Sequence, residues 1–253
     1  MNETVAERQR RVCLTFPPLV RARFVDRENR FRVRVRIDQT EDLAYLANPG
    51  RLKELLIPGQ TVWLSPAMSL ARKTDYNLTL IEHRDILVSL DSHLPNRLMT
   101  KALRARLIPG LEGFQHVESE IPLGKSRLDF LLTNDEGARR WVEVKSVTLV
   151  NERVAQFPDA PTQRGRRHLR ELIDVVEQGD RASVLFVVQR EDAVAFSPHD
   201  QTDPGFGELL RAAAAAAVEV RAFRCNVSLA RLCLDDEIPT SLDRQPGQSY
   251  NLT

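Results

Sequence analysis

The segment RFRVRVRI, Arg30 to Ile37, constrains the fold more than any other in the chain. Phe31, Val33, Val35 and Ile37 alternate strictly with Arg30, Arg32, Arg34 and Arg36, and a period of two is that of a half-buried strand. One face enters a core and the other becomes a row of guanidinium groups. Two readings of that row stand side by side. Four like charges with no interleaved acid repel one another, which suits a nucleic-acid face. The same charges also suit a solvated edge strand protected from pairing.

Around this strand, Leu14 to Arg23, Asp42 to Ala47, Gln60 to Ser65 and Asn77 to His83 read as further short strands. Asn48-Pro49-Gly50 and Pro58-Gly59 supply turns, and Arg51 to Leu56 reads as a helical piece. Together these predict a small barrel over residues 1–85, with an oligonucleotide-binding (OB) barrel one economical choice.

From Asp85 the texture changes. A helix capped by Asn96 and running through Leu107 is expected, then strands at Phe114–Leu123, Arg127–Leu132 and Trp141–Leu149. A helix from Thr162 to Gln178, capped by Thr162 or Asp159, stops at Gly179. The strand Ser183–Val188, a helix through the alanine run to Ala217 and the strand Val218–Arg224 follow. The order is α, β, β, β, α, β, α, β over residues 86–235, and residues 236–253 read as a polar tail.

Charge is almost balanced, with 36 Lys plus Arg against 35 Asp plus Glu. That balance hides two basic zones: Arg8 to Arg36 sums to +8 and Arg139 to Arg170 to +5. A nucleic-acid partner is therefore compatible with a neutral total. The longest apolar run, Ala212 to Val218, is too short to span a membrane. The start shows no apolar stretch of a signal peptide. Cys13, Cys225 and Cys233 are an odd number without CxxC spacing, which argues against a disulfide framework and a zinc site. A cytoplasmic location is the expectation. Oligomeric state is not readable, a homodimer being one option.

Two carboxylates lie inside apolar strands, Asp129 in SRLDFLL and Glu143 in VEVKSV. Alternation sends Asp129 away from Leu128 and Phe130, and puts Glu143 and Lys145 together on one face. If the strands pair in register, the carboxylates converge. Two carboxylates and a backbone carbonyl form an oxygen cage for Mg²⁺ or Mn²⁺, which activates water and offsets charge growing on a phosphate. Lys145 is one of only 5 Lys against 31 Arg; an ammonium there can orient water and, if its pKa falls so that it stands as the free amine, take the water's proton, which a guanidinium cannot. Taken alone, Glu-x-Lys on a strand is more often a weak ion pair. Downstream, Arg164, Arg167 and His168 gather at a helix N-terminus, a place that holds phosphate. Their plainer reading is a solvated helix face.

Several stretches together resemble the sugar fermentation stimulation protein A family: NPGRLKELLIPG (Asn48 to Gly59), RKTDYNL (Arg72 to Leu78), PNRL (Pro95 to Leu98), SRLDFLL, VEVKSVTL, FPDAPTQRGRRHLREL (Phe157 to Leu172) and VLFVVQR (Val184 to Arg190). The resemblance covers about residues 14–225. It implies an α+β two-domain chain, an N-terminal OB-like β-barrel followed by an α/β PD-(D/E)XK nuclease-type domain. It also implies sequence-independent DNA binding, and, in one enteric member, a role in maltose metabolism. By motif, Asp129, Glu143 and Lys145 take the nuclease positions, with the Val144 carbonyl as a further metal ligand. The chain departs from the family at Lys101, where the helix often carries Glu, and Glu120 is the acid that would substitute. Three functional readings follow: a metal-dependent deoxyribonuclease, a non-catalytic DNA-binding regulator of sugar metabolism that keeps the nuclease fold, and a structural protein whose Arg faces serve solubility.

Overall fold

The computed structural model describes residues 11–67 and 74–243. The chain start with Arg8 and Arg10, the Arg72–Lys73 part of RKTDYNL, and residues 244–253 of the expected tail lie outside the described residues.

Strands β2 (Val20–Asn29), β3 (Arg32–Ile37), β4 (Thr40–Tyr45), β5 (Thr61–Pro66), β6 (Tyr76–His83) and β7 (Ile86–Ser89) form one sheet in the order β4-β3-β2-β5-β6-β7. A parallel pairing of β4 with β6 closes five of them into an OB barrel. Val33 and Val35 are fully buried with Phe24, Ala44, Leu64 and Leu78, as the alternation requires. The strand is shorter than its pattern, however. Arg30 and Phe31 form the β2–β3 turn, and Phe31 is 41% exposed rather than inside.

Two other expectations for this half are corrected. The single strand over Leu14–Arg23 is divided by Pro17-Pro18, which interrupt ladder pairing. Its first part, β1 (Cys13–Thr15), pairs antiparallel with the last strand among the described residues. At Arg51–Leu56 there is one turn rather than a helix, the Leu55 and Leu56 amides both donating to the Leu52 carbonyl.

The second half comprises α1 (Leu94–Arg104), β8 (His116–Leu123), β9 (Ser126–Thr133), β10 (Arg139–Val147), β11 (Val150–Asn151), β12 (Val154–Phe157), α2 (Gln163–Glu177), β13 (Arg181–Val188), β14 (Ala195–Pro198), α3 (Pro204–Ala215), β15 (Glu219–Val227) and β16 (Arg231–Ile238). Its main sheet runs β1-β16-β15-β13-β10-β9-β8, parallel across β10, β13 and β15. Apolar positions on both faces of β13 leave room for helices on each side. Leu98, Met99 and Ala102 of α1 pack on one face against Phe130, Val142 and Leu185. Leu169 and Leu172 of α2 and Leu210 of α3 pack on the other against Val184 and Phe186. The expected element order holds, with the small sheet β11-β12-β14 and the strand β16 added. Among the described residues no helix is long and apolar enough to cross a membrane.

The cysteine expectation fails in one respect. Cys13 stands opposite Cys233 across β1 and β16, and the two are joined in a disulfide, while Cys225 is free and buried. Strand pairing over a separation of 220 residues leaves no trace in local spacing.

Helix ends also sort themselves. In α2 the Thr162 hydroxyl accepts the Gly165 amide at 3.0 Å, so Thr162 rather than Asp159 is the cap. Thr162→Ala is expected to cost about 1 kcal/mol, read as a lower urea midpoint at unchanged m-value; an unchanged midpoint would show that the cap carries no stability. In α1, Pro95 occupies the first turn and His93 is the N-cap without a side-chain bond. Asn96 is therefore inside the helix and is not its cap.

The halves meet through directed contacts. The Ser89 amide and hydroxyl donate to the Gln189 backbone and side-chain oxygens, each at 3.0 Å. The Leu52 backbone amide donates to Asp159 Oδ2 at 3.4 Å. At Gly50 a Cβ would fall 2.2 Å from Asp159 Oδ2, so any side chain there would have to displace the Asp159 carboxylate from its place against the barrel loop.

Candidate functional site

Strands β9 and β10 pair antiparallel as far as Phe130 opposite Val142. One step further the ladder stops, and there stand Asp129 and Glu143. Asp129 Oδ2 accepts the Val144 amide at 2.7 Å, and Oδ1 accepts the Asn96 side-chain amide at 2.6 Å. The carboxylate is thus held by a neighbouring strand and by α1. Asn96 escapes a sequence reading that treats it as a cap; the signal available was Pro95, which marks the helix start before it.

Glu143 is 3% exposed, and Lys145 on the same strand face is 9% exposed. The Lys145 ammonium meets Glu143 Oε1 at 2.6 Å. His168 Nδ1 meets the same oxygen, and Arg164 Nε donates to His168 Nε2 at 3.3 Å. The ring thus bridges Arg164 on one side and Glu143 on the other. His168 is 1% exposed and is not the solvated helix residue of the plainer sequence reading.

The two carboxylates are driven apart in acidity. Burial pushes the Asp129 carboxyl up to about 7, reinforced by the nearby charge of Glu143. Burial pushes Glu143 up as well, but the Lys145 ammonium and the hydrogen bond from His168 outweigh it and hold Glu143 at about 2. The reason is geometric: Glu143 has a cation in contact, whereas Asp129 has only neutral donors. Glu143 Oε2 is buried with no hydrogen-bond partner, an open acceptor beside a carboxyl poised near neutrality.

The remaining candidates lie as follows. Glu120 falls level with Asp129 in the β8–β9 register, between Ser119–Phe130 and Ile121–Leu128, but its carboxylate is paired with Arg127 at 2.6 Å and is half exposed. Lys101 donates to the Cys13 carbonyl at 2.9 Å, toward the sheet edge opposite β8 and β9, so it does not intrude on the carboxylates. Arg167 donates to Ser126 Oγ at 2.9 Å, over the β8–β9 hairpin. Among the described residues no three His, Cys, Asp or Glu side chains are grouped to hold a metal ion. A pocket of about 160 Å³ opens beside Lys145, between Asn48, Pro49 and Gly50 of the barrel and Thr148, Gln156 and Asp159.

The guanidinium row of β3 differs from its expected form. Glu28 reaches Arg32 at 2.8 Å and Arg34 at 2.9 Å, and Glu41 reaches Arg36 at 2.6 Å. Acids from β2 and β4 therefore interleave with Arg32, Arg34 and Arg36, and Arg30 lies in the turn. The row lacked acids only along its own strand.

A five-stranded OB barrel followed by a restriction-endonuclease-type α/β domain, with two carboxylates and a lysine where β9 and β10 part, is the class these features define. The description "SfsA N-terminal OB domain" matches residues 25–90, and "Sugar fermentation stimulation protein RE domain" matches residues 93–231. A sugar fermentation stimulation protein homolog of Moorella thermoacetica is 48% identical over 210 residues, covering 83% of this chain and 90% of its own length. One from Desulforamulus reducens is 45% identical, covering 90% and 95%. The solved structure of Pyrococcus furiosus SfsA in complex with Ca²⁺ superposes with a TM-score of 0.84 at 33% identity, covering 90% of this chain and 98% of that one. The chain belongs to the sugar fermentation stimulation protein family.

Proposed function

We propose that this protein is a divalent-metal-dependent phosphodiesterase that acts on DNA without reading its sequence. The observation that carries this reading is the buried, unpartnered Glu143 Oε2 next to Asp129. A buried carboxylate oxygen left without a donor is costly, and a hard cation satisfies it. Asp129, Glu143 and the Val144 carbonyl would hold Mg²⁺ or Mn²⁺, which supplies activation of water and charge neutralisation at the phosphate. The Pyrococcus furiosus relative, described with Ca²⁺, supports an oxygen-ligated cation.

The chain's own residues then divide the work. Lys145 keeps Glu143 ionised and, as an ammonium, orients the attacking water; it would take that water's proton only as the neutral amine, after first releasing its own proton to solvent. His168 fixes the Glu143 carboxylate through Oε1, leaving Oε2 available. Asn96 and the Val144 amide fix Asp129. Arg164 and Arg167, exposed on the first turns of α2, would meet the phosphate backbone, aided by the helix N-terminus.

Incubation of the protein with single-stranded and duplex DNA in Mg²⁺, Mn²⁺ or EDTA tests the reading: metal-dependent cleavage of unrelated sequences is expected. One observation favours a second reading, a DNA-binding regulator that keeps the fold. The site shows two carboxylates, and the α1 residue for which the family resemblance implies an acid is Lys101, whose side chain turns away to the Cys13 carbonyl. Binding without cleavage in every metal would select that reading.

The neutralised β3 row yields a separate expectation. Replacing both Glu28 and Glu41 with Gln frees Arg32, Arg34 and Arg36, and the slope of log affinity against log salt should steepen by about 1–2. An unchanged slope in anisotropy titrations would remove the β3 strand from the DNA interface.

A further inference from the structure

The β2–β3 turn carries an aromatic surface that the cleavage chemistry does not use. Phe31, 41% exposed, lies over the neighbouring Tyr45 with ring centroids 6.2 Å apart and planes within 26°. The Arg30 guanidinium stands 5.4 Å from the Phe31 centroid. Single exposed apolar residues are ordinary. Two near-parallel rings with a cation over one of them are the arrangement that stacks on a flat, electron-rich ring next to a negative charge.

The turn is also fixed before any ligand arrives. Arg27 donates through Nη2 to the Arg30 carbonyl at 2.7 Å and to the Asn48 carbonyl at 3.0 Å. Through Nη1 it donates to the Gly50 carbonyl at 2.6 Å. The Phe31 amide donates to Asn29 Oδ1 at 3.0 Å. One guanidinium thus rivets the turn to the barrel loop, and little conformational freedom is left to lose on binding.

Tyr45 continues the surface into a groove of about 500 Å³, walled by Asn77 and Thr79 of the barrel and by Leu94 and Arg97 of α1. Asn96, the neighbour of Arg97, holds Asp129. The groove therefore leads from the aromatic pair to the helix turn that positions the candidate site.

We propose that Phe31 and Tyr45, with Arg30, form a stacking platform for unpaired bases of single-stranded DNA, feeding the strand along this groove toward α1. In a duplex the base faces are covered by their neighbours, so only an unstacked base offers a face to the platform. The proposal rests on the nucleic-acid partner argued above but not on cleavage.

The test is fluorescence anisotropy of the full-length protein in EDTA with an oligo(dT), an oligo(rU) and a DNA duplex of equal length. Phe31→Ala is expected to weaken oligo(dT) binding by about 5- to 100-fold, with duplex affinity unchanged and Phe31→Trp restoring the parent value. Parent-like oligo(dT) binding by Phe31→Ala would overturn the platform, as would an equal loss on single strand and duplex. Binding of oligo(rU) alone would overturn its assignment to DNA. Cleavage run in parallel with Mn²⁺ separates the two readings. A cleaving protein indifferent to Phe31→Ala loses only the platform, and a non-cleaving protein that responds to it loses only the phosphodiesterase.

Discussion

Lys145→Ala is expected to lower metal-dependent DNA cleavage by about 10²- to 10⁴-fold, with DNA affinity in EDTA close to that of the parent. The ammonium is in contact with Glu143 Oε1 and is the one Lys in the constellation. Its removal also leaves Glu143 buried with only the His168 donor, and a buried charge stripped of its partner costs about 3–5 kcal/mol. The loss of rate therefore needs a control for folding. Lys145→Arg provides one, because it returns a positive charge beside Glu143 but cannot release a proton at any working pH. Its unfolding midpoint should recover most of what Ala loses, while cleavage stays low. Cleavage by Lys145→Ala at the parent rate would remove Lys145 from the chemistry. Full cleavage by Lys145→Arg would reduce its role to supplying charge.

That barrel strands come first and an α/β arrangement follows was legible because each follows from local pattern, whereas β1 joining the second sheet and β7 (Ile86–Ser89) joining the first were not. Val33 and Val35 alternate with Arg, and Leu169, Leu172 and Val176 recur at helical spacing. Each is decided by residues a few positions apart. What failed was settled by partners far along the chain. Glu28 and Glu41 neutralise the β3 guanidinium groups from adjacent strands, so a row that looked uncompensated is not. Cys13 meets Cys233 because the first strand adds to the far edge of the second sheet. Phe31 left the expected core because the turn, not the alternation, set where β3 begins.

The same distinction applies to the candidate site. Residue types and strand faces put Glu143 with Lys145 and sent Asp129 away from its apolar neighbours. Register was not readable, and it decides that the two carboxylates stand one step past the last β9–β10 pair. Nor was the burial of His168 readable. It depends on α2 lying across the sheet so that His168 reaches Glu143 on β10, twenty-five residues earlier. Asn96 was missed because a side chain amide near a helix start resembles a cap when the Asp it serves is not in view.

Asp129→Asn is expected to raise the stability of the metal-free protein at pH 8 by about 2–4 kcal/mol and to leave it nearly unchanged at pH 4. The sign follows from the direction of the shift. Asp129 is raised from 3.8 to about 7 in the folded protein, so between those values the unfolded chain has already released a proton that the folded one keeps. The Asp129 contribution is most favourable below pH 4, declines as pH rises, and is fully unfavourable above pH 7. Glu143, held at about 2, contributes in the opposite sense: its stabilisation is present above its unfolded value of 4.5 and is lost as pH falls toward 2. The windows barely overlap, so a pair of urea titrations in EDTA separates them. An Asn keeps the acceptor for the Val144 amide and removes the charge, and with it the repulsion from Glu143. Mn²⁺ at pH 8 should then raise the parent midpoint, since a cation bound only by the folded state stabilises it, and should do little for Asp129→Asn. If Asp129→Asn were destabilised equally at both pH values, the carboxyl would be ionised throughout and held by its hydrogen bonds, and the open oxygen of Glu143 would have no titrating partner with which to share a metal ion.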